Sequence, residues 1–111
     1  MISIRFEEKQ QIGLQYALET LHGCNVKYFV LDAGWFHGGV DALCGIGDWN
    51  VPPENYPDGG IGAFTEVIRN AGFRPGIWFE FEVATEDSKL ANEHPEWLLH
   101  LDGKVLKSGT R

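Results

Sequence analysis

One pattern occurs twice in this chain and limits what it can fold into: a helical stretch, a glycine, an apolar run and an acid. In the first copy Leu14, Ala17, Leu18 and Leu21 recur at helical spacing within residues 7–21, and Gly23 supplies the stop. The run VKYFVLD (26–32) then ends on Asp32. In the second copy Ile61, Phe64, Ile68 and Ala71 share one helical face and Gly72 ends it. FRPGIWFEFEV (73–83) follows, with Pro75 near its opening, where proline is tolerated, and Glu80 and Glu82 toward its end. Apolar runs rich in β-branched and aromatic residues, without clean alternation, suit strands covered on both faces. Helices alternating with such strands imply parallel pairing through right-handed crossovers, so the predicted fold class is α/β with about two βα units. Parallel strands bring both sets of acids to the C-terminal edge of the sheet, where barrels and open sheets of this class place their sites.

Between the copies lies a Gly- and Pro-rich segment, 34–60, containing GDWNVPPENYPDGG. Loops this long are functional or disordered, and Trp35, Phe36, Trp49 and Tyr56 argue for an ordered, functional one. After the second strand, residues 85–93 can form a short helix capped by Thr85 or Asp87 and ended by Pro95. The tail WLLHLDGKVLK places Asp102-Gly103 between extended residues, the signature of a small hairpin.

The 111 residues suffice for one small domain, and 43% hydrophobic with 23% charged residues fits a globular rather than a disordered or membrane-embedded chain. A formal net charge of -7 disfavours nucleic acid and anionic membrane surfaces as partners and leaves a neutral ligand as the better fit. The opening MISIRFEEKQ lacks the apolar core of a secretory signal and no stretch reaches membrane-spanning length, so a cytoplasmic setting is expected. Cys24 and Cys44 have no CxxC spacing, and His22, His37, His94 and His100 form no HxH or HxxxH pair; neither a metal nor a disulfide is expected.

Asp32 admits two readings. A carboxylate after a strand can cap the next turn through backbone donors, or it can serve a ligand. Its company favours the second: Trp35, Trp78, Glu80 and Glu82 are expected at the same sheet edge, and Asp48 with Trp49 lies in a loop able to fold across it. Alternation along WFEFE would set Trp78, Glu80 and Glu82 on one side and Phe79 and Phe81 on the other. For Trp49 and Trp97 core packing is the competing reading, and Glu82 could equally pair with Arg74. Carboxylates with flat aromatics suit a carbohydrate site, since ionised oxygens accept from sugar hydroxyls while an indole covers the apolar face of the ring, and no cofactor is required. The candidate binding residues are therefore Asp32, Trp35, Asp48, Trp49, Trp78 and Glu80.

FVLDAGWF, the GDW at residues 47–49, the block YPDGGIGAFTEVIRNAGFRPGIWFEFEV and HPEWLL, in this order and spacing, resemble the α-galactosidases of glycoside hydrolase family 36. The resemblance implies that residues 1–111 are a fragment of the catalytic domain, a partial (β/α)8 TIM barrel. It implies a retaining hydrolase of terminal α-galactosides, with Asp32 binding sugar hydroxyls and Trp78 lining the pocket. Trp35, Asp48, Trp49 and Glu80 match motif positions near that site. Retention needs two carboxyl groups about 5 Å apart, and the family supplies both from later strands, beyond Arg111, so no catalytic residue is expected in this chain. Many members carry a second aspartate where this chain has Ala33, and a proline where it has Phe81. A homo-oligomeric parent is compatible with the resemblance. Two alternatives stay open: a non-catalytic sugar-binding or interaction module derived from the barrel, and an enzyme using Asp32 with Glu80 or Glu82 as its acid pair.

Overall fold

The computed structural model describes residues 6–38 and 44–108. Helix α1 (Phe6–Thr20) leads to strand β1 (Tyr28–Leu31), helix α2 (Gly60–Asn70) to strand β2 (Arg74–Ile77), and a short helix α3 (Lys89–Glu93) to a hairpin of β3 (His100–Leu101) and β4 (Lys104–Val105). Strands β1 and β2 pair in parallel, with Tyr28 opposite Arg74 and Leu31 opposite Ile77. The ladder is extended at both ends by Arg74 N–H donating to the Lys27 carbonyl (2.8 Å) and Trp78 N–H to the Leu31 carbonyl (2.9 Å). Because Arg74 and Trp78 donate toward β1, alternation turns the nitrogen of Pro75 away from it, so the missing N–H costs the ladder nothing.

The second strand is shorter than its sequence suggests. Residues 78–83 leave the ladder because β1 ends at Leu31, and the last bond it can offer is the one to Trp78. Nor is β1 covered on both faces: Leu31 is buried and Phe29 half-buried, while Tyr28 and Val30 are 57% and 52% exposed. One face of the pair carries the core, built from Leu14, Leu31, Trp35, Phe36, Ile46, Tyr56, Phe64 and Ile68.

Helix α2 supplies the centre of that core. Phe64 and Ile68 are fully buried one turn apart, with Ile61 and Ala71 half-buried beside them, as helical spacing requires. Its end is a Schellman motif: Phe73 N–H donates to the Ile68 carbonyl (3.2 Å) and Gly72 N–H to the Arg69 carbonyl (2.9 Å). Gly72 adopts φ 95°, which the motif needs at this position. In α1 only half of the expected face is covered. Leu14 and Ala17 are buried, whereas Leu18 and Leu21 are exposed and line an open cleft of about 430 Å³ with Val26 and Phe73. Helix α3 begins later than expected and is capped by Ser88, whose Oγ accepts from Ala91 N–H (3.1 Å), rather than by Thr85 or Asp87. Asp102 and Gly103 both take positive φ between β3 and β4, the backbone of a type I′ hairpin turn.

The radius of gyration is 17.0 Å, against about 13 Å for a compact chain of this length, and the extents of 54 × 31 × 26 Å describe an elongated body. Among the described residues no helix is long and apolar enough to cross a membrane.

Two buried polar atoms at the α1–loop junction, Tyr56 Oη and Glu7 Oε2, have no hydrogen-bond partner among the described residues. Burial first, and then the Glu7 charge, push the Tyr56 phenol well above its ordinary value near 10. The raised folded-state value means that the neutral phenol's contribution is complete below about pH 10 and is lost as pH climbs past it. Tyr56→Phe removes an unsatisfied hydroxyl at nearly constant volume. It is expected to raise stability by about 1 kcal/mol and to flatten the alkaline loss, both readable from denaturant melts at pH 7 and pH 10.5. A lowered midpoint with an unchanged alkaline limb would contradict this.

Candidate functional site

The parallel pairing sets Asp32, which follows β1, beside Trp78, which follows β2, because the Leu31 carbonyl between them accepts the Trp78 N–H. Asp32 is exposed, and its Oδ1 accepts the N–H of Ala33 (2.7 Å). Its second oxygen takes no protein donor among the described residues. This local bond is the turn-stabilising role that a strand-end carboxylate can play, and it fixes the side chain while leaving acceptor capacity for a ligand. Glu80 is half-buried, whereas Glu82 and Phe81 are exposed.

An aromatic cluster sits at this edge. Trp35 is 3% exposed, and its indole N–H donates to the Trp78 carbonyl (2.9 Å), tying the turn after β1 to the end of β2. Trp49 stacks on Trp35 with centroids 5.7 Å apart and planes at 14°. It meets Phe36, Trp78 and Phe79 edge-on at 4.8, 6.1 and 5.0 Å. Phe79 also packs edge-on against Trp35 at 5.3 Å. Contacts of this kind are each worth roughly 0.5–1.5 kcal/mol beyond area burial. Phe79 was not legible as a member, because strict alternation assigned it to the side opposite Trp78; once the chain leaves the ladder after Trp78, period-two alternation no longer holds. Trp49 has φ 55°, a left-handed conformation that costs a bulky residue on the order of 1–3 kcal/mol and persists only where its surroundings hold it.

The remaining candidate, Asp48, is half-buried and turned to the protein: Oδ2 accepts Lys89 N–H (2.8 Å) and Oδ1 accepts Leu90 N–H (3.1 Å). Trp97 is 64% exposed and stacks flat on the His94 ring at 3.9 Å, apart from the cluster. Cys24 and Cys44 are free thiols. Among the described residues no group of His, Cys, Asp or Glu could hold a metal ion. The 430 Å³ cleft beside α1 lies at the N-terminal end of the strands and is lined mainly by apolar side chains, with His22 and Asn25 and no acid among them. A second cleft, about 260 Å³, borders the back of the aromatic cluster at Gly34, Phe36 and Asn55.

Three of the six candidate residues, Trp35, Trp49 and Trp78, meet in the aromatic cluster at one end of the parallel pair; Asp32 stands at the neighbouring strand tip, Glu80 follows Trp78 by two residues, and Asp48 turns to helix α3. Acids and indoles in this arrangement are chemically suited to a sugar. The chain belongs to the melibiase family, whose model matches residues 3–111. It is 38% identical over 79 residues to α-galactosidase Mel36A of Lactobacillus acidophilus, covering 71% of this chain and 11% of that protein. It is 37% identical over 106 residues to an α-galactosidase of Escherichia coli, covering 96% and 15%. Among solved structures, the α-galactosidase from Lactobacillus brevis superposes with a TM-score of 0.73 at 34% identity, covering 95% of this chain and 14% of its own. A variant of the GH36 α-galactosidase AgaA from Geobacillus stearothermophilus, in complex with raffinose, gives 0.70 at 28% identity, covering 96% and 14%. These matches bear out the resemblance drawn from the motifs. The chain spans only 11% to 15% of the length of these curated relatives.

Proposed function

We propose that this chain is the sugar-holding edge of a GH36-type retaining glycoside hydrolase acting on terminal α-galactosides. The observation that carries this reading is the pairing of Trp78 N–H with the Leu31 carbonyl, which sets Asp32 and Trp78 side by side. Asp32 accepts hydrogen bonds from vicinal sugar hydroxyls, each charge-assisted and worth roughly 1.5–3 kcal/mol. The Trp78 indole covers the apolar C–H face of the ring, Glu80, two residues beyond Trp78, is a further acceptor, and Trp35 and Trp49 form the wall behind. Asp48 belongs to the same site. Support for the substrate class comes from the AgaA variants solved with raffinose and stachyose.

In this reading residues 1–111 are part of a (β/α)8 barrel, and the two carboxyl groups that retention requires, about 5 Å apart, come from elsewhere in a longer protein. The open Tyr28–Val30 face, the exposed Leu18 and Leu21 and the elongated shape suit a body covered by further barrel units. With Ala33 in place of a second strand-tip acid, the preferred hydroxyl pattern shifts relative to members that carry two. A cytoplasmic setting and a homo-oligomeric parent belong to the same proposal.

The test is hydrolysis of p-nitrophenyl α-galactoside and raffinose by the protein that contains this chain, with product stereochemistry read by NMR. Hydrolysis with retention is the expected result. Binding of raffinose without hydrolysis would favour a non-catalytic module, and loss of both would remove the reading.

A further inference from the structure

We infer that Asp48 is a positioning residue: it clamps the loop bearing Trp49 onto the segment that follows β2, and so sets the aromatic wall. The inference rests on the proposed sugar site for its functional meaning, but on contacts within the chain for its geometry. Helix α3 has only five residues, too few to sustain itself without outside partners. Its first three N–H groups are all satisfied, one by Ser88 at the cap and two by Asp48, which reaches across 41 and 42 residues of sequence. Bonds from backbone N–H groups to an ionised carboxylate are short and strong, and both oxygens of Asp48 are engaged in them.

The same seam is closed at a second point. Thr85 donates both its N–H (2.9 Å) and its Oγ1–H (3.1 Å) to the carbonyl of Ile46, a residue 1% exposed. Gly47, between Ile46 and Asp48, lies so close that a Cβ there would stand 3.1 Å from Ala84 Cβ and 3.3 Å from Ser88 Oγ. Residues 46–48 and 84–90 therefore move as one piece. Each side of the seam carries part of the wall, with Trp49 adjoining Asp48 and the Trp78–Phe79 pair upstream of Thr85 on the same strand continuation. The strained φ of Trp49 lies immediately beside the clamp; among the described residues its own N–H donates to Gly45 O, and the carbonyl of the next residue, Asn50, accepts from His37 N–H. Releasing Asp48 lets Trp49 relax and leave its stack on Trp35.

The protein that contains this chain and its Asp48→Asn and Asp48→Ala variants test this through three readouts: near-ultraviolet circular dichroism of the stacked indoles, far-ultraviolet melting, and titration with galactose. The amide of Asp48→Asn keeps one acceptor oxygen and Asp48→Ala keeps none. The indole signal is expected to fall in the order wild type, Asn, Ala, with galactose affinity falling in step, ~10-fold for Ala, while the far-ultraviolet melt stays cooperative. Thr85→Val, at the second closure, should move the indole signal in the same direction. If affinity falls while the indole signal holds, Asp48 is itself a sugar ligand and the inference is overturned; a signal unchanged in both variants, or lost together with the far-ultraviolet melt, overturns it as well. A wild-type protein that ignores galactose, with the indole signal still lost in Asp48→Ala, removes the sugar reading and leaves the clamp standing.

Discussion

Phe64→Ala is expected to abolish the cooperative unfolding transition of the 111-residue chain. Phe64 is fully buried at the middle of α2 and meets Tyr56 ring to ring at 6.1 Å, so truncation removes the piece joining helix, loop and sheet. A buried Phe→Ala change costs about 3–5 kcal/mol in transfer and cavity terms. Small domains hold about 0.05–0.15 kcal/mol per residue, and this one has reason to lie at the low end. Among the described residues nine hydrophobic side chains are buried while sixteen large ones are exposed. Circular dichroism melts in denaturant read the outcome. A transition of unchanged midpoint and slope in the Ala variant would show that α2 is not what holds the sheet.

What the sequence disclosed depends on how local each signal was. Helix α2, its end at Gly72 and the following strand were legible because side-chain spacing, a stop residue and an apolar run agreed over fewer than twenty residues. The parallel pairing of β1 with β2 followed from the helix between them, and the hairpin from the Asp102-Gly103 pair that its turn demands. The length of β2 was not legible, since a strand ends where its partner does, and β1 stops at Leu31. The side taken by Phe79 went with it. The exposure of Leu18, Leu21, Tyr28 and Val30 was hidden for a related reason: periodicity reports which face is apolar, not whether anything covers it. Of the candidate site, Asp32 and Trp78 were readable as strand tips. The bonds from Asp48 to Lys89 and Leu90 were not, because no spacing rule links residues so far apart in sequence.

The second large effect concerns Asp32. Its Oδ1 is occupied by the N–H of Ala33, and the carboxylate as a whole is exposed at the end of β1, next to the aromatic cluster. Asp32→Asn preserves shape and the turn bond but replaces an anionic acceptor with a neutral amide. In the proposed site two sugar hydroxyls then lose charge-assisted partners, at roughly 1.5–3 kcal/mol each before rearrangement, so affinity should drop by about 10- to 100-fold or more. Folding should be untouched, because Asp32 is exposed and makes no ion pair among the described residues.

The central claim is that two strand tips meet at one sugar-holding edge, and calorimetric titration of the protein that contains this chain with galactose, which binds without being hydrolysed, wild type beside Asp32→Asn, tests it most directly. Saturable heat is predicted for the wild type and its loss for the variant, while both melt at the same midpoint. Equal binding by the two proteins would contradict it.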